Sequence, residues 1–131
     1  GVTHPDAKMG YPEVDLGVCP AVVAPWLVKK IGAGQARRVL LEGGLMSGQR
    51  AWELGLVTEC VPVEKLDETV RAMAERLASG GAKALRATKA WLNEVDGSLD
   101  AAMVRRGAMI SAEVVGGEEA QRSLRARFTG G

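Results

Sequence analysis

The sequence contains a single histidine, His4, in 131 residues, and that scarcity removes several chemistries at once. A serine, histidine, acid triad would have to use it, yet His4 stands in a polar HPD stretch near a terminus, where ordering is least expected. The two cysteines, Cys19 and Cys60, form no CxxC pair, so the spacing of a zinc site or a redox motif is missing. Both read as small, reduced core residues, and no metal site is expected. Aromatic residues make up only 4%, and 17 basic against 16 acidic side chains leave a net charge of +1. That balance supplies no overall field to draw nucleic acid or an anionic membrane. No apolar run approaches the roughly 18 residues that span a bilayer, and no basic segment with an apolar core opens the chain. A cytoplasmic location, with no nucleic-acid or membrane partner, is the expectation.

What is present is ordinary for one globular domain, with 47% hydrophobic and 25% charged residues. Residues 1–9 offer no complete element, so the chain is expected to begin inside a fold. The stretch MGYPEVDLGVCP then places one carboxylate, Glu13, between a fixed proline and a short apolar run. Pro12 restricts Tyr11 to extended backbone and sets its own φ, so Glu13 enters a partly fixed segment. Val14, Leu16 and Val18 alternate with Asp15 and Gly17, the period of a half-buried strand, which would turn Glu13 and Asp15 the same way. A lone glutamate in such a place is most often a solvated surface residue. By spacing alone, the solvated and the catalytic readings of Glu13 both stand.

The pattern beyond Pro20 is helical. Pro25 in a first turn, Lys29 and Lys30 near an end and Gly32 as a stop predict a helix over 24–31. A second helix is expected over 35–41, closed by Gly43 and Gly44, and a third over 48–54 with Ser47 as its cap. LVTECV, residues 56–61, reads as a strand ended by Pro62. Leu66, Val70, Met73, Ala74 and Leu77 form a helical stripe, with Asp67–Arg71 and Arg71–Glu75 as pairs on its wet side. A helix over 82–95 would bury Leu85, Trp91, Leu92 and Val95. Another over 99–115, capped by Ser98, would bury Leu99, Met103, Ile110 and Val114, and Gly107 in its interior implies a bend or a close contact. A basic helix over 118–128 ends the chain, its Arg122, Arg125 and Arg127 making either a solvated face or an anion contact.

GYPEVDLGVCP, followed by KKIGAGQARRVLLEGGLMSGQRAWELGLVTECVPVEKL, closely resembles the enoyl-CoA hydratase/isomerase, or crotonase, family. The family's PE-x-x-x-G-x-x-P segment falls on Pro12, Glu13, Gly17 and Pro20. Its following helix and GLV continuation fall on Ile31, Gly32, Ala36, Leu41, Gly43, Ser47, Ala51, Gly55, Leu56, Val57 and Leu66. The resemblance implies an α/β fold of the crotonase type, a ββα spiral followed by a helical trimerisation region. This chain corresponds to the C-terminal half and should be mainly α with two or three short strands. Residues 1–62 would be the C-terminal part of the core carrying the PE motif, and residues 63–131 the helical oligomerisation region. Standing alone, such a half would expose apolar surface and associate.

The resemblance also implies a chemistry. Glu13 falls on the family's second acid/base glutamate, while the other glutamate and the two N–H donors that hold the thioester oxygen lie in the family's first half. In hydration of an enoyl thioester, water adds at the β carbon and a proton reaches the α carbon. The intermediate enolate needs its oxygen stabilised, and one such donor is worth about 2.7 to 4 kcal/mol. Glu13 alone cannot complete the reaction, so the isolated half is expected to be inactive. Pro20, Ala21, Val22 and Trp26 would wall the acyl site, with Ala21–Ala24 standing where many members carry a glycine-rich turn. Lys89, Arg122, Arg125 and Phe128 are candidates for contacts to coenzyme A. No cofactor is expected, coenzyme A entering as the thioester substrate, and the expected assembly is a homotrimer or a dimer of trimers. An isomerase, a dehalogenase or a hydrolase shares the same resemblance, and a non-catalytic helical assembly module is the alternative of another class.

Overall fold

The computed structural model describes residues 1–98 and 100–128. It contains four strands, each of two or three residues, and six α-helices among the described residues. In order these are β1 (Val2–Thr3), β2 (Lys8–Gly10), α1 (Ala24–Glu42), β3 (Leu45–Ser47), α2 (Gly48–Glu53), β4 (Glu59–Cys60), α3 (Leu66–Ala78), α4 (Ala82–Val95), α5 (Ala101–Gly116) and α6 (Glu118–Phe128). The strands form two separate pairs, β1 with β4 and β2 with β3. The chain divides into two compact units, each assembled from segments before and after residue 62.

The first unit comprises residues 1–7 and 47–100. β1 lies parallel to β4, Val2 opposite Glu59 and Thr3 opposite Cys60, and the Val61 N–H extends the pairing to the Thr3 carbonyl at 2.9 Å. The strand expected over 56–61 is therefore only two residues long. Gly55 takes a positive φ of 79° and the Leu56 N–H turns back to the Ala51 carbonyl, so the backbone before Glu59 is committed to the end of α2. Residues 1–9, read as lacking an element, supply β1 and part of β2, because their pairing partners lie 36 or more residues away and leave no local signature. Ser47 caps α2 as expected, its Oγ accepting from the Arg50 N–H at 3.1 Å. α2 presses onto β1 through Gly48, where any Cβ would overlap the His4 carbonyl oxygen and stand 3.0 Å from Thr3 Oγ1.

α3 and α4 form where the periodicity predicts them, but their apolar stripes are mostly uncovered, Leu66 and Met73 being only partly buried. Val70, Leu77, Leu85, Trp91, Leu92 and Val95 are all exposed, contrary to the expected burial. An amphipathic pattern names the face a helix would bury, and burial needs a second layer that two-residue strands do not supply. The expected Asp67–Arg71 and Arg71–Glu75 pairs are not among the ion pairs of the described residues. Lys65 and Glu68 pair instead, at 2.9 Å and in solvent, where such a contact contributes about 0 to 1 kcal/mol.

The second unit comprises residues 8–46 and 101–131. α1 is one continuous element broken at Gly32, whose φ of 78° and ψ of 158° are not helical, so the two predicted helices survive as two arms of a kink. Leu27, Ala36, Val39 and Leu40 from α1 and Ala120 from α6 make the buried apolar set. The interior glycine of α5 marks a close contact: a Cβ on Gly107 would stand 2.8 Å from the Ala21 carbonyl oxygen. Met103, expected inside, is half exposed, and Ile110 and Val114 are only partly buried. Leu99, also expected inside, lies outside the described residues.

Candidate active site

The segment that carries Glu13 is a turn and not the strand its alternation predicts. Val14–Leu16 form one turn of 3-10 helix, with the Asp15 N–H donating to the Pro12 carbonyl at 3.1 Å and the Leu16 and Val18 N–H groups to the Glu13 carbonyl at 3.0 and 2.9 Å. Five alternating residues fit either geometry, and two prolines with a glycine between them decide the matter. Pro12 presets the first turn, while Gly17, at a φ of 68°, closes it in a conformation that disfavours any side chain. Gly17 also packs on α6, where a Cβ would stand 3.3 Å from Ser123 Oγ and 3.4 Å from Ala120 Cα. Glu13 and Asp15 therefore do not point the same way by strand register. They occupy different positions of a tight turn with different surroundings.

Those surroundings separate the two carboxylates. Glu13 Oε2 is buried and has no hydrogen-bond partner among the described residues. Asp15 is exposed, and its Oδ2 accepts from the Gly44 N–H at 2.8 Å. Tyr11, beside them, is half-buried; burial, and secondly the negative charge of Glu13, hold its phenol above its ordinary value, so it stays a neutral O–H. Glu13 is thus partly exposed as a residue while one of its two carboxylate oxygens is withdrawn from solvent.

The turn also forms a wall of a cavity of about 640 Å³ within this unit. Val14, Val18, Cys19, Pro20, Val28 and Leu40 give it an apolar lining, with Arg37 and Glu119 as charged members. Cys19 is a free, partly buried thiol in that lining, and Cys60 of the other unit is also free and partly buried. Among the described residues no cluster of histidine, cysteine or carboxylate side chains could hold a metal ion.

The other candidate residues fall in distinct places. Pro20 lines the cavity, and the Ala21 carbonyl is the group against which Gly107 packs. Val22 and Trp26 are exposed, and the Lys29 ammonium lies 5.0 Å from the centre of the Trp26 ring, close enough for a cation–π contact. Arg122 and Arg125 are on the exposed side of α6, and Phe128 at its end is 76% exposed. Phe128 lines a second groove of the same unit with Pro12, Asp15 and Arg127. Lys89 is exposed on α4, in the first unit. The sequence marks Gly43 and Gly44 only as a helix stop and gives the Tyr11 phenol no role, and nothing local names Asp15 as the acceptor of the Gly44 N–H.

No helix of the described residues is long and apolar enough to cross a membrane. The family described as enoyl-CoA hydratase/isomerase matches residues 2–126. A Thermus thermophilus protein named as an enoyl-CoA hydratase is 36% identical over 96 residues, 73% of this chain and 38% of that protein. The crotonyl-CoA hydratase of Syntrophomonas wolfei is 36% identical over 90 residues, 68% of this chain and 35% of that enzyme. Among solved structures, a Streptomyces avermitilis protein described as an enoyl-CoA hydratase superposes with a TM-score of 0.90 at 31% identity, covering 99% of this chain and 47% of that one. The chain thus spans about half the length of the structure it matches.

Proposed function

Because the chain belongs to the enoyl-CoA hydratase/isomerase family, we propose that it is the glutamate-bearing half of an acyl-CoA enzyme that adds water to a 2-enoyl-CoA thioester. Glu13 acts as a general acid/base in this reading. Its support is the buried Oε2 without a partner. Leaving such an oxygen unsatisfied costs about 1 to 3 kcal/mol, a cost offset when it accepts a hydrogen bond from a water or substrate O–H. A carboxylate so placed takes a proton from the attacking water or returns one to the α carbon, a contribution of roughly 10²- to 10⁴-fold in rate. Coenzyme A enters and leaves as part of the substrate, and no resident cofactor is part of the proposal. Pro20, Ala21, Val22 and Trp26 border the acyl group, while Arg122, Arg125 and Phe128 contribute to holding the nucleotide end, in a cytoplasmic trimer or dimer of trimers.

The experiment is replacement of Glu13 by glutamine in the full-length protein, followed by hydration of crotonyl-CoA. A loss of at least about 100-fold in kcat is expected. Normal turnover by Glu13→Gln would show the assignment to be wrong. Supplying 3-enoyl-CoA alongside separates water addition from double-bond migration. A second reading, a helical assembly module without catalysis, draws on the exposed stripes of α3 and α4. Intact mass separates the two: material at 13.8 kDa that associates but turns over no thioester favours assembly.

A further inference from the structure

We infer that the Gly43–Gly44 turn is a positioning device for Glu13, the N–H and the carbonyl of Gly44 gripping the chain at Asp15 and at Tyr11, two residues to either side of the carboxylate. The grip has two ends. The Tyr11 N–H donates to the Gly44 carbonyl at 3.2 Å, and the Gly44 N–H donates to Asp15 Oδ2 at 2.8 Å. One such bond would leave the segment free to pivot about it. Two bonds to the N–H and the carbonyl of one residue, Gly44, made from the residues two before and two after Glu13, fix both the position and the direction of the residue between them.

The turn is built for this and for little else. Gly43 and Gly44 both hold a positive φ, of 67° and 71°. Gly43 also has no room for a side chain: a Cβ there would stand 2.6 Å from Asp15 Oδ1 and 2.7 Å from Val14 Cγ2. Gly10 is excluded from carrying a side chain in the same way, since its Cβ would overlap the Gly44 carbonyl oxygen. The device is anchored in the core, because the Gly43 N–H donates to the carbonyl of Val39, which is buried in α1. Asp15 is thus a positioning residue that acts through the Gly44 N–H, and its hydrogen bond is of the charge-assisted kind, roughly twice as strong as a neutral one.

This inference rests on the reading of Glu13 as the acid/base group, and the test separates the two. In the full-length protein, Asp15→Ala removes the acceptor, whereas Asp15→Asn keeps an oxygen that can accept from the Gly44 N–H. Asp15→Ala should lower kcat about 10- to 100-fold, the scale of an ångström of misplacement, with KM within about two-fold of the parent. Asp15→Asn should recover most of that loss, and amide exchange at Gly44 should quicken in the alanine variant only. Should Asp15→Ala keep kcat within two-fold, or Asp15→Asn fall as far as Asp15→Ala, the positioning role is overturned. Glu13→Gln, measured beside them, reports on the acid/base reading alone: an active Glu13→Gln enzyme rejects that reading whatever the two Asp15 variants do.

Discussion

The two compact units are built from the same kinds of residue and hold themselves together differently. In the unit of residues 8–46 and 101–131, buried apolar side chains from α1 and α6 surround backbone contacts at Gly17, Gly43 and Gly107. In the unit of residues 1–7 and 47–100, the long helices leave most of their apolar stripes exposed, and among the described residues full burial is confined to Thr3, Gly48 and Ala51 at the β1–α2 contact. The difference teaches that helical periodicity measures what a segment could bury, while actual burial depends on which segment arrives opposite. Glu13 belongs to the unit in which large apolar side chains, Leu27, Val39 and Leu40, are buried.

The comparison is most open to breaking at Leu27, which is 3% exposed. Leu27→Ala should cost about 2 to 5 kcal/mol in denaturant unfolding, and a loss below about 1 would mean the second unit has no core worth the name. Gly48→Ala tests whether the first unit depends on its one tight contact. The Cβ has to displace the His4 carbonyl, and a loss of about 1 to 3 kcal/mol is expected, read by the same unfolding curve. Leu77→Ser sharpens the contrast from the other side. At 64% exposure it should change stability by no more than about 0.5 kcal/mol while reducing self-association in sedimentation. The smallest effect concerns Tyr11. A phenol held above its ordinary 10.0 in the folded state gives stability that is complete below pH 10 and lost as pH rises through the raised value. Unfolding midpoints measured across that range should fall for the parent and stay flatter for Tyr11→Phe.

Much of the fold was legible because its signals are local. α4 starts after Gly81 and α6 after Gly117, glycines visible in the sequence, and the Ser47 cap is a serine ahead of a helix. The close contact at Gly107 could be anticipated from a glycine inside a helix, though not its partner, the Ala21 carbonyl. What was not legible is pairing at a distance. β1 is two residues long and exists only because residues 59 and 60 lie beside it. At the site, the proline-to-proline spacing flagged Glu13 as constrained, but alternation gave the wrong geometry, since a five-residue pattern satisfies a strand and a capped turn equally.

The kink at Gly32 has a consequence for the cavity. Nothing stands within 4 Å of where a Gly32 side chain would be, so the break is held by backbone conformation and not by neighbours. On one side of it lie Ala36, Val39 and Leu40, all buried, and on the other a segment whose Trp26, Val28, Lys29 and Lys30 are exposed. Both arms contribute to the cavity wall, Val28 from one and Ala36, Arg37 and Leu40 from the other, so the backbone angle at this one glycine sets how the two parts of that wall meet.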